Sequence, residues 1–181
     1  MTARARPGTR IPSPVLAVAF VLLGEAMLFG ALISAYLVLR AGVHLWPPPG
    51  QPRLPVWTTA LNTLVLLGSG LALWRARRGG PGYLYGVALA AGAAFVVAQG
   101  AEWARLLAFG LNARGGLYGA LFYTLVGTHA VHAVAGLVVL GVTLALARAG
   151  RVGDAGLAAA SLYWAFVVAV WPVLYVLVYL S

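Results

Sequence analysis

The sequence has no cysteine and no lysine, and only three acidic residues, Glu25, Glu102 and Asp154, among 181. Without cysteine there is no disulfide, no Cys-ligated zinc, no iron–sulfur cluster and no thiolate-bound copper. Charged residues make up 8% of the chain, against about 25% in an ordinary soluble domain. That shortage excludes water-soluble globular folds, coiled coils and charge-rich disordered chains. What stands in their place is apolar: 62% of the residues are hydrophobic and the mean hydropathy is +0.94. The composition is that of an all-α polytopic membrane protein, since helices satisfy their own backbone groups in hydrocarbon.

Five apolar runs, at about 15–39, 56–74, 83–108, 117–147 and 157–180, are each long enough to cross a hydrocarbon core of about 30 Å. They form one membrane domain, 15–181, behind a basic N-terminal segment, 1–14. The first run is too long for a signal-peptide core and no small-residue cleavage site follows it, so it is expected to remain as a helix. Trp46-Pro47-Pro48-Pro49-Gly50 and Gly79-Gly80-Pro81-Gly82 punctuate the connectors. The net charge of +9 would suggest nucleic acid in a soluble protein. Here the arginines lie between apolar runs, so no nucleic-acid partner is expected. Eight of the twelve (Arg4, Arg6, Arg10, Arg75, Arg77, Arg78, Arg148 and Arg151) fall on one side. Arg40, Arg53, Arg105 and Arg114 fall on the other. The positive-inside rule then places the N-terminus in the cytoplasm and the C-terminus outside. No internal repeat supports the paired halves of a secondary transporter.

Ionisable residues inside a span usually face the bundle and have a partner. Glu25 lies near mid-membrane on a face with Phe29, Leu32 and Tyr36. His129 and His132 share a face of the fourth run. At 1.5 Å per residue, Glu25 lies roughly 21 Å, and His129 roughly 18 Å, from the outer ends of their helices, so the two can meet at similar depth. The histidines could serve as structural hydrogen-bonding groups, in proton transfer, or as a metal pair. Two histidines without a third ligand fall short of a metal site, and no metal is expected. Glu102 either pairs with Arg105 at i+3 or snorkels to the interface. Thr58, Asn62 and Ser69 are expected on one face of the second run as interhelical hydrogen-bonding groups. Trp57, Trp74, Tyr83, Tyr118 and Tyr179 suit an interfacial aromatic belt.

The order of motifs adds a resemblance. Gly24-Glu25-Ala26-Met27-Leu28-Phe29, Trp46-Pro47-Pro48-Pro49-Gly50, Leu61-Asn62-Thr63 with Leu67-Gly68-Ser69-Gly70, Ala101-Glu102-Trp103, Gly127-Thr128-His129-Ala130-Val131-His132, Tyr163-Trp164 and Trp171 follow one another along the chain. In that order they resemble subunit III of the haem-copper oxidases, in its short five-helix bacterial form. The resemblance implies an accessory subunit without an active site of its own, in an oxidase complex that reduces oxygen to water and translocates protons. Haem and copper would be held by partner subunits, with none in this chain. It further implies packing on subunit I in a complex with subunit II, bound phospholipid, and support for proton uptake, in a bacterial plasma membrane. Glu25 would be the family's membrane-embedded, carbodiimide-reactive carboxyl. Where the family's last helix reads Tyr-Trp-His-Phe-Val-Asp, this chain has Tyr163-Trp164-Ala165-Phe166-Val167-Val168, so a His and an Asp are missing together. Pro172 follows and removes the backbone bond to the Val168 carbonyl. Two alternatives remain: a subunit III-like protein of a nitric oxide reductase, and a stand-alone carrier using Glu25.

Overall fold

The computed structural model of the chain describes residues 11–180. Arg4, Arg6 and Arg10, counted above for orientation, lie outside the described residues. Five long helices carry the apolar runs: α1 (Ser13–Ala41), α2 (Val56–Arg77), α3 (Tyr83–Ala108), α4 (Leu117–Arg148) and α5 (Asp154–Tyr179). Each is long and apolar enough to span a membrane. The first and last helices start before their apolar runs, and the second outlasts its own. Pro14 supplies a preset φ in the first turn of α1. Asp154 in the first turn of α5 faces the positive end of that helix's dipole, and it also accepts a hydrogen bond from Arg77 at the end of α2 (3.1 Å). Arginines close four of the helices, Arg40, Arg75 with Arg77, Arg105 and Arg148 lying in their last turns. There a cation meets the orphan carbonyls, which is a second reason for an arginine besides orientation.

The helices stack in three layers. α4 and α5 pack together at the centre; α1 lies against one side of them, and the α2–α3 hairpin lies against the other, α2 on α5 and α3 on α4. Among the described residues α1 makes no contact with α2 or α3. Only Phe29 and Tyr36 of α1 are buried. Trp164 of α5 ties the central layer to the α2–α3 hairpin. Its indole fills a slot in which a Cβ added at Gly92 of α3 would lie 2.7 Å from ring carbon Cζ2, and one at Gly136 of α4 would lie 3.0 Å from Cε3. Its Nε1–H donates to Ser69 Oγ of α2 (3.0 Å), and Ser69 donates onward to the Ala88 carbonyl of α3 (2.7 Å). Without a water phase to drive apolar burial, this combination of small residues and satisfied polar groups is what holds membrane helices together.

α5 runs through Pro172 without interruption. Val168, where the family motif has Asp, is buried in a notch left by Gly70 of α2: a Cβ there would lie 2.9 Å from Val168 Cγ1. Ala165, where the motif has His, is exposed. Apolar contact thus fills the place of the missing acid. Gly119 at the start of α4 comes still closer to a neighbour, with its Cβ position 2.1 Å from the Asn112 carbonyl oxygen. Because that neighbour is backbone, Gly119→Ala is expected to cost about 1–3 kcal/mol or more. The loss would appear as reduced yield of monodisperse protein and a lowered unfolding midpoint.

Candidate functional site

Glu25 of α1 meets α4, and its partner is His132. His132 Nε2 lies 2.8 Å from Glu25 Oε2, and His132 Nδ1 lies 2.7 Å from the Thr128 carbonyl oxygen. A carbonyl can only accept, so Nδ1 carries a hydrogen and donates it. One further proton must then lie between Nε2 and the carboxyl. Either protonated Glu25 donates to a neutral imidazole, or an imidazolium donates to the carboxylate. Both arrangements are neutral as a pair, so two ionisable groups sit among apolar helices with no net charge to solvate. The site holds one transferable proton.

His129, one turn earlier, does not reach Glu25, contrary to the depth-matching expectation. Its side chain is buried, and Nε2–H donates to the Val167 carbonyl of α5 at 3.0 Å. The ring lies 4.9 Å from that of Trp171. Three residues along an α-helix turn a side chain through roughly 300°, enough to aim His132 at α1 and His129 at α5. Phe29 lies edge-on to both rings, at centroid distances of 6.4 and 5.2 Å. Toward the α1 N-terminus a cleft of about 420 Å³ opens, lined by Pro14, Val18, Val139, Thr143, Ala160 and Tyr163.

The remaining polar residues form a second group, between α2, α3 and α5. Asn62 donates to the Phe95 carbonyl (3.1 Å) and to Gln99 Oε1 (3.3 Å). Gln99 Nε2 donates to the Tyr179 hydroxyl (2.9 Å), and Trp171 Nε1 donates to Thr63 Oγ1 (2.9 Å). Glu102 is buried and accepts from Arg105 at 2.8 Å. Two sequence expectations are corrected here. Thr58 is exposed, and Thr59 and Thr63 take the inward positions beside Asn62. Tyr118 and Tyr179 are core residues, each 5% exposed, whereas Trp57, Trp74 and Tyr83 do face outward. The ring of Trp46 stands edge-on to Tyr36 (6.1 Å) and Tyr118 (5.0 Å).

Among the described residues no three His, Asp or Glu side chains converge as a metal-binding set. The arrangement places one shared proton between His132 and Glu25.

A model of the cytochrome c oxidase subunit III family matches residues 15–181. The chain is 32% identical over 170 residues to the cytochrome c oxidase subunit 3 of Synechocystis sp., covering 88% of this chain and 72% of that one. It is 32% identical over 177 residues to the same subunit of Thermostichus vulcanus, with 92% and 86% covered. Against the probable cytochrome c oxidase subunit 3 of Mycobacterium leprae it is 31% identical over 166 residues, with 86% and 81% covered. A family match over residues 15–181, relatives 32% identical over most of their own length, and five helices long enough to span a membrane place this chain in the cytochrome c oxidase subunit III family.

Proposed function

We propose that the chain is the accessory subunit III of a respiratory haem-copper oxidase of the cytochrome c oxidase type, packed on subunit I in a complex with subunit II. Its site is a proton-holding pair rather than a catalytic centre. The observation that carries this reading is the Glu25–His132 pair (2.8 Å), which holds one proton in either of two positions at no change in net charge. Such a pair can relay a proton during oxygen reduction elsewhere in the complex, accepting one as it gives one up, so that it stays neutral. α1, which bears Glu25, turns Phe20, Val21, Leu23, Met27 and Val38 outward. That apolar face is open to lipid and to a neighbouring subunit.

The complex is assigned to a bacterial plasma membrane, with phospholipid bound along the subunit. Purification in mild detergent is expected to bring down haem-containing partners, visible in a reduced-minus-oxidised spectrum and named by mass spectrometry. The chain stripped of partners should carry neither haem nor copper. Stoichiometric haem or copper in the isolated chain, or transport by the chain alone in vesicles, would overturn the accessory reading. A nitric oxide reductase would show itself by its own partner subunits in the same experiment.

The N-terminus is assigned to the cytoplasm from the distribution of arginine. Reporter fusions after Gly80 and Arg151 should therefore report cytoplasm, and fusions after Gly50 or Gly115 should report the outside. An outside signal after Gly80 would reverse the assignment.

A further inference from the structure

At the end of the bundle far from Asp154, two clefts share Trp46. One, of about 490 Å³, is lined by Leu37, Arg40, Val43, His44 and Trp46. The other, of about 310 Å³, is lined by Trp46, Arg53, Tyr118 and Tyr179 among others. The Arg40 guanidinium carbon lies 5.9 Å from the centre of the Trp46 ring, within cation–π range. The chain has three acidic side chains, and each already has a basic partner: Glu25 has His132, Glu102 has Arg105, and Asp154 has Arg77. Among the described residues no acidic side chain is left for Arg40 or Arg53.

Neither arginine is explained by orientation, since both lie on the side where the positive-inside rule disfavours them. The α1 dipole accounts for part of Arg40's placement. It does nothing for Arg53, which precedes the N-terminus of α2, where a cation is disfavoured and an anion welcome. Depth supplies the rest. Arg40 lies roughly 22 Å along α1 from Glu25, beyond the half-thickness of a hydrocarbon core about 30 Å across, so the clefts sit at headgroup level when Glu25 is near mid-membrane.

We propose that the clefts around Trp46 form a binding site for the headgroup of an anionic phospholipid. Arg40 and His44 face its phosphate from one side and Arg53 from the other, while its acyl chains run along Leu37 and the outer face of α1. Guanidinium groups give phosphate paired, charge-assisted hydrogen bonds, and an indole at the interface presents an apolar body with a polar edge. The site names one ligand and one location for the phospholipid in the reading above. It rests on the membrane placement of the helices and not on the oxidase partners, so it can fail while that reading stands.

The test uses the full chain in nanodiscs of phosphatidylcholine with and without phosphatidylglycerol, measuring retained lipid by native mass spectrometry and unfolding by heat. Wild-type protein should retain phosphatidylglycerol over phosphatidylcholine and melt higher in its presence. Arg40→Gln and Arg53→Gln should each lower that retention about five-fold, and together abolish the rise in melting temperature. Arg148→Gln with Arg151→Gln, at the opposite end, should keep both. Should Arg40→Gln fail to fold, Arg53→Gln in the exposed loop gives the same five-fold reading alone. Equal retention by wild type and the Arg53 variant overturns the site, as does equal loss from changes at either end. The same protection by inorganic phosphate, or by an acidic peptide, in phosphatidylcholine alone overturns the lipid as its occupant.

Discussion

Glu25→Ala is expected to weaken the bundle by about 1–3 kcal/mol, because it leaves His132 Nε2 without its partner inside the membrane. Glu25→Gln should fold nearly as well as wild type. Its amide can donate to the neutral imidazole whose Nδ1–H already serves the Thr128 carbonyl, so the hydrogen bond survives and the transferable proton does not. The two variants therefore separate structure from proton handling. Complex assembled with Glu25→Gln should start at a normal rate and lose turnover, or proton stoichiometry, over prolonged cycling. Full activity throughout would make the carboxyl purely structural. A lipid-soluble carbodiimide gives an independent reading. The Glu25 side chain is 24% exposed on a lipid-facing helix, that of Glu102 is 11% exposed and held by Arg105, and that of Asp154 is 81% exposed at an aqueous end. Label should accumulate on Glu25 ahead of the other two, and labelling mainly at Glu102 would count against this site geometry.

Trp164→Ala should be the most destabilising single truncation in the chain. The indole touches α2, α3 and α4 at once, so its removal opens a cavity where three helices meet. The cavity term for a buried tryptophan amounts to about 3–5 kcal/mol. Trp164→Phe keeps most of the volume and gives up one hydrogen bond to Ser69, a loss of about 0.6 kcal/mol for an average interhelical bond. Gly92→Val tests the same slot from the other side, by forcing a side chain against the Trp164 ring. Unfolding in mixed micelles with increasing dodecyl sulfate should rank the variants with Phe mildest and Ala far below it. An Ala variant within about 1 kcal/mol of wild type would mean that the hairpin is held to the central layer elsewhere.

The spans were legible because length and composition alone decide them. Helix ends were less so: Asp154 reads as a loop residue until the dipole of α5 and its contact with Arg77 are seen. Depth matching could bring Glu25 and the fourth helix together, but not choose between two histidines a turn apart. That choice depends on the rotation of α4 about its axis, which packing fixes. Tyr118 and Tyr179 were misread because a tyrosine near a helix end has the same sequence signature whether its hydroxyl meets water or a buried Gln99. The Trp164 slot was missed although its parts were visible. Gly92, Gly136 and Ser69 lie on three different helices, and nothing in their spacing says that one indole joins them.

The layer order also dictates a history. Of the five helices α1 leaves the ribosome before the others, yet its contacts are with α4 and α5, which follow α2 and α3. While α2 and α3 insert and close their own hairpin, α1 has no helix to lean on, and its carboxyl waits among lipid tails for an imidazole over a hundred positions downstream. The length and apolar character of α1 fit that interval, since it must hold its place in the bilayer alone. A ribosome stalled before α4 would leave Glu25 unpartnered and open to membrane quality control. Arrival of His132 therefore gives the carboxyl its partner, and α5, which follows, supplies the rest of the surface against which α1 packs.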